Sequence, residues 1–300
     1  MFIWIFVSLA AASFQTIRFM LQKVLSSVSL SPAGATFSRF VYSAPFILAL
    51  LFLYLQQSGQ AVPSLTGQFW VYATIGGLAQ ILATVCVVAL FKQRNFAVGI
   101  TFKKTEVIQT ALLGLVVLGD QMSLGAWGAI LVGLTAVLIL SKSPDGQGEW
   151  WQNLTNRASQ LGLGSGILFA FSAVGYRGAS LQLGDLDAAL RAGITLAIVV
   201  CLQTTMMLCW LLLRDPNEIK RVWQARRVAI WVGLTSMGGS FCWFWAFSLQ
   251  NAAYVKAVGQ AELLLSLLAS VLFFKEKISQ REIVGMGLLV ISILGLVLAL

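Results

Sequence analysis

The chain has 300 residues, of which 58% are hydrophobic and 10% charged, with a net charge of +9 at pH 7. Soluble domains carry about 25% charged residues, so this composition excludes a water-soluble globular protein. The sequence contains no histidine, which excludes His-based catalysis and His-ligated metal sites. Four cysteines fall in apolar segments without CxxC spacing and are interpreted as buried, inert thiols.

Ten segments have the roughly 20 mostly apolar residues that a helix needs to cross a bilayer. In chain order these predicted spans are 2–24, 32–55, 68–91, 95–118, 123–141, 160–182, 186–213, 228–249, 251–274 and 279–300. The first lacks a basic n-region and is predicted to be an uncleaved span. The chain is therefore predicted to be an all-α integral membrane protein. Its expected surroundings are a lipid bilayer, and no nucleic-acid partner is expected.

The polar segment 141–157 separates five spans from five spans, and the two halves resemble each other. Placing Glu106 on Glu262 aligns FKQRNFAVGITFKKTE with FSLQNAAYVKAVGQAE, and GDQMS with KEKIS. This self-similarity predicts a duplication. Residues 1–141 form the first predicted five-helix repeat, 142–159 a cytoplasmic linker and 160–300 the second repeat.

Loop charges predict the orientation of the spans. The basic residues outside the spans all fall in odd-numbered loops, and the most basic of these is 214–227. The positive-inside rule places those loops in the cytoplasm and both termini outside, in the cytoplasmic (inner) membrane. Because each half has an odd number of spans, the two repeats insert upside down relative to each other. Inverted repeats are typical of alternating-access transporters.

Paired motifs in the two halves resemble a known family. Each second span has an early arginine, Arg39 or Arg191, and each fourth helix closes on an acid, Asp120 in LGDQMS or Glu276 in FKEKIS. The final span of each half is rich in glycine. Over its full length the chain resembles the ten-helix EamA-type branch of the drug/metabolite transporter superfamily.

The resemblance implies a central cavity, walled mainly by helices 1, 3, 4, 6, 8 and 9. It also implies transport of small metabolites, including amino acids, sugar phosphates and nucleotide sugars. The small multidrug members of the superfamily bind cations at a glutamate in their first helix, whereas the first span here has Arg18 and no acid. This departure counts against export of cationic drugs.

Apart from the four residues at each span end, the predicted spans contain seven basic residues and only two acidic ones, Glu106 and Glu262. Lys103 and Glu106 are i,i+3 neighbours that can pair, whereas Lys104 points about 100° away and needs another partner. Intramembrane ionisable groups usually mark a transport pathway. The predicted substrate-binding residues are Arg18, Gln80, Lys103, Lys104, Glu106, Arg177, Ser236 and Lys256.

Glu262 is the predicted coupling residue because no basic residue shares its helix face; a hydrogen bond to a neighbouring helix is the alternative. Arg39 and Arg191 lie near span ends and are interpreted as snorkelling side chains. Residues 241–247, FCWFWAF, are interpreted as an interfacial aromatic belt, with stacking on a ligand as the alternative.

These patterns predict a monomeric secondary active transporter that exports amino acids or related anionic metabolites. No nucleotide-binding motif is present, so a proton gradient or an exchanged metabolite is expected to drive it. No cofactor, metal or catalytic residue is expected. The rival hypotheses are a cation or drug exporter, a membrane-embedded enzyme and a channel.

Overall fold

The computed structural model describes residues 2–28, 30–91, 103–141, 157–265 and 280–299. Twelve helices account for most of these residues, and the same ranges contain no strand. The helices are α1 (Ile3–Val28), α2 (Pro32–Val41), α3 (Ala44–Ser58), α4 (Gly67–Leu90), α5 (Glu106–Leu118), α6 (Leu124–Ser141), α7 (Arg157–Leu181), α8 (Ala188–Arg214), α9 (Pro216–Gln224), α10 (Arg226–Leu249), α11 (Ala252–Gly259) and α12 (Gln280–Leu298).

Apolar side chains cover the outside of the helix bundle, and charged side chains lie inside it. Phe6, Val116 and Leu124 are 70%, 82% and 90% exposed, whereas Lys103 and Glu106 are 2% and 5% exposed. Water would favour the opposite distribution, and hydrocarbon favours this one. The chain is therefore a helical membrane protein.

Six helical stretches in the described ranges are long and apolar enough to cross a membrane. They are α1, α2 together with α3, α4, α7, α8 and α10. Shorter apolar stretches lie in α5, α6 and α12. Parts of the predicted spans 95–118 and 251–274 lie outside the described residues. A multi-pass helical architecture is confirmed, and ten spans in two inverted repeats stay a prediction.

The predicted span 32–55 is interrupted near its middle. Helix α2 ends at Val41 and α3 begins at Ala44, with Pro45 in the first turn of α3. Proline has no N–H, and its ring clashes with the carbonyl four residues earlier, so a continuous helix cannot run through this point. Arg39 lies in the last turn of α2 and is buried in the bundle.

The predicted polar break 214–227 contains a helix, α9, that the sequence reasoning missed. Pro216 occupies its first turn, a position where the missing N–H of proline costs nothing. The carboxylate of Glu218 is buried and accepts a 2.7 Å hydrogen bond from the backbone N–H of Ser31. It also accepts a 2.6 Å hydrogen bond from Nε of Arg221. This carboxylate raises the pKa of the Arg221 guanidinium above its ordinary value. The polar segment is therefore a folded connection to α2.

Helix pairing follows the same pattern in the two halves of the chain. The first helix of each half packs against the third span of the other half, α1 on α10 and α7 on α4. Helices α6 and α12, which correspond to each other, also pack together. This reciprocal packing is what a duplication predicts. The boundaries 1–141 and 160–300 stay a prediction, and most of the predicted linker 142–159 lies outside the described residues.

Helices α4 and α7 approach each other closely through glycines. A Cβ atom placed on Gly175 would lie 2.9 Å from the carbonyl oxygen of Tyr72 and 3.0 Å from Cα of Gly76. Only a residue without a side chain fits at such a distance. Small residues at helix interfaces allow close packing in membranes, where no hydrophobic effect holds helices together.

Two helical interruptions occupy corresponding places in the two halves. Lys104 and Thr105 form a turn, and α5 begins immediately afterwards at Glu106. Gln260 and Ala261 form a turn after α11, and helical structure resumes at Glu262. The alignment of Glu106 with Glu262 superimposes these turns. Matched interruptions in the two halves of a transporter are a pointer to its binding site.

Candidate functional site

A small polar cavity lies between α1, α2, α4, α7, α10 and α11. Its lining combines three cations, hydroxyl and amide groups, and aromatic rings: Gln15, Arg18, Arg39, Gln80, Phe169, Ser172, Ala173, Tyr176, Thr235, Ser236, Gly239, Ser240, Trp243, Phe244, Phe247 and Lys256. Four predicted substrate-binding residues are here, Arg18, Gln80, Ser236 and Lys256. The expected walls from helices 1, 3, 6, 8 and 9 are present, and the second span contributes as well.

Arg18 and Ser236 present polar atoms to the cavity that have no hydrogen-bond partner among the described residues. These atoms are Nη1 of Arg18 and Oγ of Ser236, and both side chains are 3% exposed. The Arg18 guanidinium lies 4.4 Å from the centroid of Phe19, its only ring contact in the described chain. Buried polar groups normally have partners, because desolvation without one costs about 1–3 kcal/mol. The two atoms are therefore available to a ligand.

Arg39 is held in place by two hydroxyl groups. Its Nη1 donates to Thr84 Oγ1 at 3.0 Å, and its Nη2 donates to Ser240 Oγ at 3.1 Å. The side chain is 4% exposed and lines the cavity, so it does not snorkel to the membrane surface as the sequence suggested. Hydroxyl partners leave its charge uncompensated.

Glu106 lies between two lysines. Its carboxylate is 3.8 Å from Lys103 Nζ and 3.6 Å from Lys256 Nζ. The pairing with Lys103 was predicted from spacing; the pairing with Lys256 joins α5 to α11 and was not. Lys256 also lies 4.7 Å from the Trp243 ring centroid and 5.5 Å from that of Phe169. Of this group only Lys256 reaches the cavity wall.

Glu262 forms an ion pair with Lys104, the lysine whose partner could not be identified from the sequence. Its other carboxylate oxygen accepts a 2.6 Å hydrogen bond from Gln15 Nε2. The Gln15 carbonyl in turn accepts from Trp243 Nε1 at 3.2 Å. The prediction that no basic residue shares the helix face of Glu262 did not consider partners across the bundle, and Lys104 is such a partner. A chain of three contacts thus joins Lys104 and Glu262 to the cavity wall.

Gln80 belongs to a network centred on its own side-chain oxygen. That oxygen accepts from the Tyr176 hydroxyl at 2.9 Å and from Gln203 Nε2 at 2.9 Å. Gln203 also donates to the carbonyl of Gly77 at 3.0 Å. The acceptor of Gln80 is therefore used within the protein, and its amide nitrogen is the group left to face the cavity.

Arg177 does not line the cavity, in contrast to its expected role in substrate binding. Its Nε and Nη2 bind the two oxygens of Asp120 at 2.9 and 3.1 Å. Its Nη1 donates to the carbonyls of Phe247 and Gln250 at 2.9 and 2.8 Å. These bonds tie α7 to the residues after α5 and at the end of α10. The geometry is that of a structural clamp.

Arg191, like Arg177, donates hydrogen bonds to backbone carbonyls and not to the cavity. Its Nη1 and Nη2 donate to the carbonyls of Gly184 and Ser248 at 3.4 and 3.2 Å. It is absent from the cavity wall. The two second-span arginines that look equivalent in sequence therefore differ, because Arg39 reaches hydroxyls inside the bundle and Arg191 reaches carbonyls at its end.

Three of the five aromatic residues in the run 241–247 face inward, so the interpretation as an interfacial belt was wrong for those three. Trp243, Phe244 and Phe247 are 9%, 1% and 2% exposed and line the cavity. Trp243 stacks on Phe247 at 5.8 Å, and Phe244 stacks on Tyr176 at 4.2 Å. Helical periodicity, which places positions 243, 244 and 247 on one face, is the signal that could have found this.

The charges around the cavity do not balance. Arg18, Arg39, Lys103, Lys104 and Lys256 are the cations of this region, and Glu106 and Glu262 are its carboxylates in the described chain. Three positive charges remain in excess in a setting of low dielectric constant. The described residues include no group of three or more His, Cys, Asp or Glu side chains arranged for a metal ion.

A bundle of apolar helices around a polar, charged cavity is an arrangement typical of membrane transporters. Residues 157–298 match the model of the EamA-like transporter family. Together with the membrane-capable helices, this match supports the assignment of the chain as an EamA-type transporter, a membrane transporter of the drug/metabolite type.

The fold is also found among solved structures, of which 28 chains match. One of them, titled "Crystal structure of protein", superimposes with a TM-score of 0.73 at 14% sequence identity. The alignment covers 98% of this chain and 96% of that one, so the likeness extends over the whole fold. No curated protein matches the chain significantly.

Proposed function

We propose that the protein is a secondary active transporter that moves small organic anions across the cytoplasmic membrane by alternating access. Export is the proposed direction, and amino acids and related carboxylates are the proposed substrates. The proposal extends the family assignment, which covers a transporter of the drug/metabolite type and leaves the substrate open.

One observation carries this proposal: the cavity has uncompensated positive charge. Arg18 and Arg39 both line it, and no carboxylate of the described residues pairs with either. A charge near the centre of a bilayer costs about 3 kcal/mol or more. A carboxylate or phosphate on the ligand would offset that cost, so anions gain affinity where neutral molecules and cations do not.

The rival hypotheses lack a comparable observation. A cation exporter needs an acid that dominates the cavity, and both span glutamates are already paired with lysines. A membrane-embedded enzyme needs a nucleophile with a base, and the chain has no histidine. The family of the second half is one of transporters.

We propose that the carboxylate of Glu262 couples transport to the proton gradient by binding and releasing a proton. Through Gln15 and Trp243 it is linked to the cavity wall, so a change in its protonation would be felt where the ligand binds. We propose that the protein is a monomer with both termini outside. Its proposed partners are the bilayer, the ligand, and either a proton or an exchanged metabolite.

The test removes the two unpartnered groups one at a time. Purified Arg18→Gln and Ser236→Ala proteins are compared with Lys220→Gln, a control that removes a basic residue from the exposed side of α9. Ligand binding is followed as a thermal shift against anionic metabolites, since a ligand stabilises the state that it binds. A lost charge-assisted hydrogen bond costs about 1.5–3 kcal/mol, so Arg18→Gln should weaken anion binding at least about tenfold.

We expect Ser236→Ala to weaken binding by a smaller factor and Lys220→Gln to leave it unchanged. Equal anion affinity in the wild type and the Arg18→Gln variant would contradict the proposal. A preference for organic cations would favour the cation exporter instead.

A further inference from the structure

The two side-chain amide carbonyls of the cavity wall already accept hydrogen bonds from the protein. Gln15 Oε1 accepts from Trp243 at 3.2 Å, and Gln80 Oε1 accepts from both Tyr176 and Gln203 at 2.9 Å. What remains available is Arg18 Nη1, the amide nitrogen of Gln80 and the hydroxyl of Ser236. The first two are donors, and a hydroxyl can also donate. The cavity therefore offers mostly donors.

The carboxylates near the cavity lie beside the protein's own lysines, although Oε2 of Glu106 has no hydrogen-bond partner among the described residues. Glu106 lies 3.8 Å from Lys103 and 3.6 Å from Lys256, so two lysines share it. Glu262 is paired with Lys104 and accepts from Gln15. Neither carboxylate is part of the cavity wall.

Aromatic rings can also bind an ammonium group through their faces. The rings best placed for this are Trp243 and Phe169, and Lys256 Nζ already lies 4.7 and 5.5 Å from their centroids. The protein's own ammonium group thus fills the aromatic cage in which a ligand amine would bind. A second ammonium group there would also be repelled by Lys256.

From these observations we infer that the transported ligand is an organic anion without a charged amine, such as a 2-oxo or 2-hydroxy carboxylate or a phosphate ester. This inference rests on the proposed transport of anions and narrows it by excluding zwitterionic amino acids. In the bound state the acidic group lies against Arg18 and Ser236. The amine of an amino acid would face donors and cations in the same cavity.

The experiment uses pairs of probes that differ only at the amine. Pyruvate is paired with alanine, 2-oxoisocaproate with leucine, phenylpyruvate with phenylalanine, and ethyl phosphate with phosphoethanolamine. Binding to the purified full-length protein is measured by thermal shift and by calorimetry at pH 7. For every pair that binds, the amine-free anion should bind at least about tenfold more tightly than its partner.

The variant Lys256→Gln supplies a second readout. Removing Lys256 frees one side of Glu106 and the Trp243 face, so the preference against the amine should fall several-fold. The control Lys220→Gln should keep the wild-type preference. A merely structural role of Lys256 would lower the affinity for both members of a pair equally and leave their ratio unchanged.

The outcomes separate the inference from the proposed function. Equal or tighter binding of the amino acid would overturn the inference and leave anion transport standing. Binding of none of the anionic probes would overturn anion transport itself. An unchanged ratio in Lys256→Gln would also count against the inference, because the cage would then not be what excludes the amine.

Discussion

Lys103 and Lys104 are neighbours in sequence, yet they serve different carboxylates. Lys103 pairs with Glu106 on the next turn, and Lys104 pairs with Glu262 from the other half of the chain. Lys104 lies in the turn that precedes α5, so the two adjacent lysines reach different elements. The local pair could be predicted from spacing. The long-range pair could not, because spacing within one helix says nothing about what packs beside it.

Substitution of Glu262 tests whether transport is coupled to the proton gradient. We expect Glu262→Gln to keep ligand exchange between the two sides of a proteoliposome and to lose accumulation driven by a pH gradient. The reason is that glutamine preserves the hydrogen bond to Gln15 and cannot release a proton. Uptake of a labelled anion with and without a pH gradient measures both activities.

The same substitution removes the partner of Lys104, and breaking a buried ion pair costs about 3–5 kcal/mol. The double variant Lys104→Met with Glu262→Gln removes both charges, and we expect it to recover most of the lost thermal stability. Gradient-driven accumulation by a stable, uncharged double variant would show that coupling runs through another group.

At the scale of elements, α7 illustrates what a stripe of small residues does. By their spacing Gly162, Gly166 and Arg177 share one face of α7, but the closest backbone contact of this helix is made at Gly175, on the side that meets α4. Periodicity identifies small-residue faces, and only the packing shows which of them is used.

Gly175→Ala should destabilise the protein. The added methyl group would lie 2.9 Å from the Tyr72 carbonyl oxygen and force α4 and α7 apart, and such overpacking costs about 1–3 kcal/mol. Gly164→Ala is the matched control on the same helix, because a Cβ there has no neighbour within 4 Å. Removing a helix-interior glycine at that site should be neutral or stabilising by up to about 1 kcal/mol.

Thermal unfolding in detergent, read for both variants, compares the two sites directly. If Gly175→Ala melts at the same temperature as Gly164→Ala, the helices are not locked at this contact.

For the whole molecule, loop charges predict the orientation. We expect a cysteine at Ser58 to react with an impermeant maleimide added outside intact cells, and a cysteine at Gln224 to be protected until the membrane is opened. Both positions are exposed, so burial does not prevent labelling. The four free cysteines are replaced first. The opposite labelling pattern would reverse the predicted topology.

The membrane class, the helical fold and the surplus of buried cations could be predicted from sequence, because hydrocarbon imposes length and polarity rules on every span. The positions of Arg177 and of the inward aromatic run could not. Asp120, which binds Arg177, lies in another part of the chain. A run of aromatic residues at the end of a span is compatible with a membrane interface and with a cavity wall. Such choices depend on tertiary packing.

The glycine contact between α4 and α7 also limits how the protein can move. These helices come from different halves of the chain, as do the paired helices α1 and α10. Helices in close backbone contact travel as one rigid body, since sliding them apart would break many dispersion contacts at once. The proposed alternating access would therefore not divide the protein at the predicted linker 142–159. Any rocking would carry helices of both halves together.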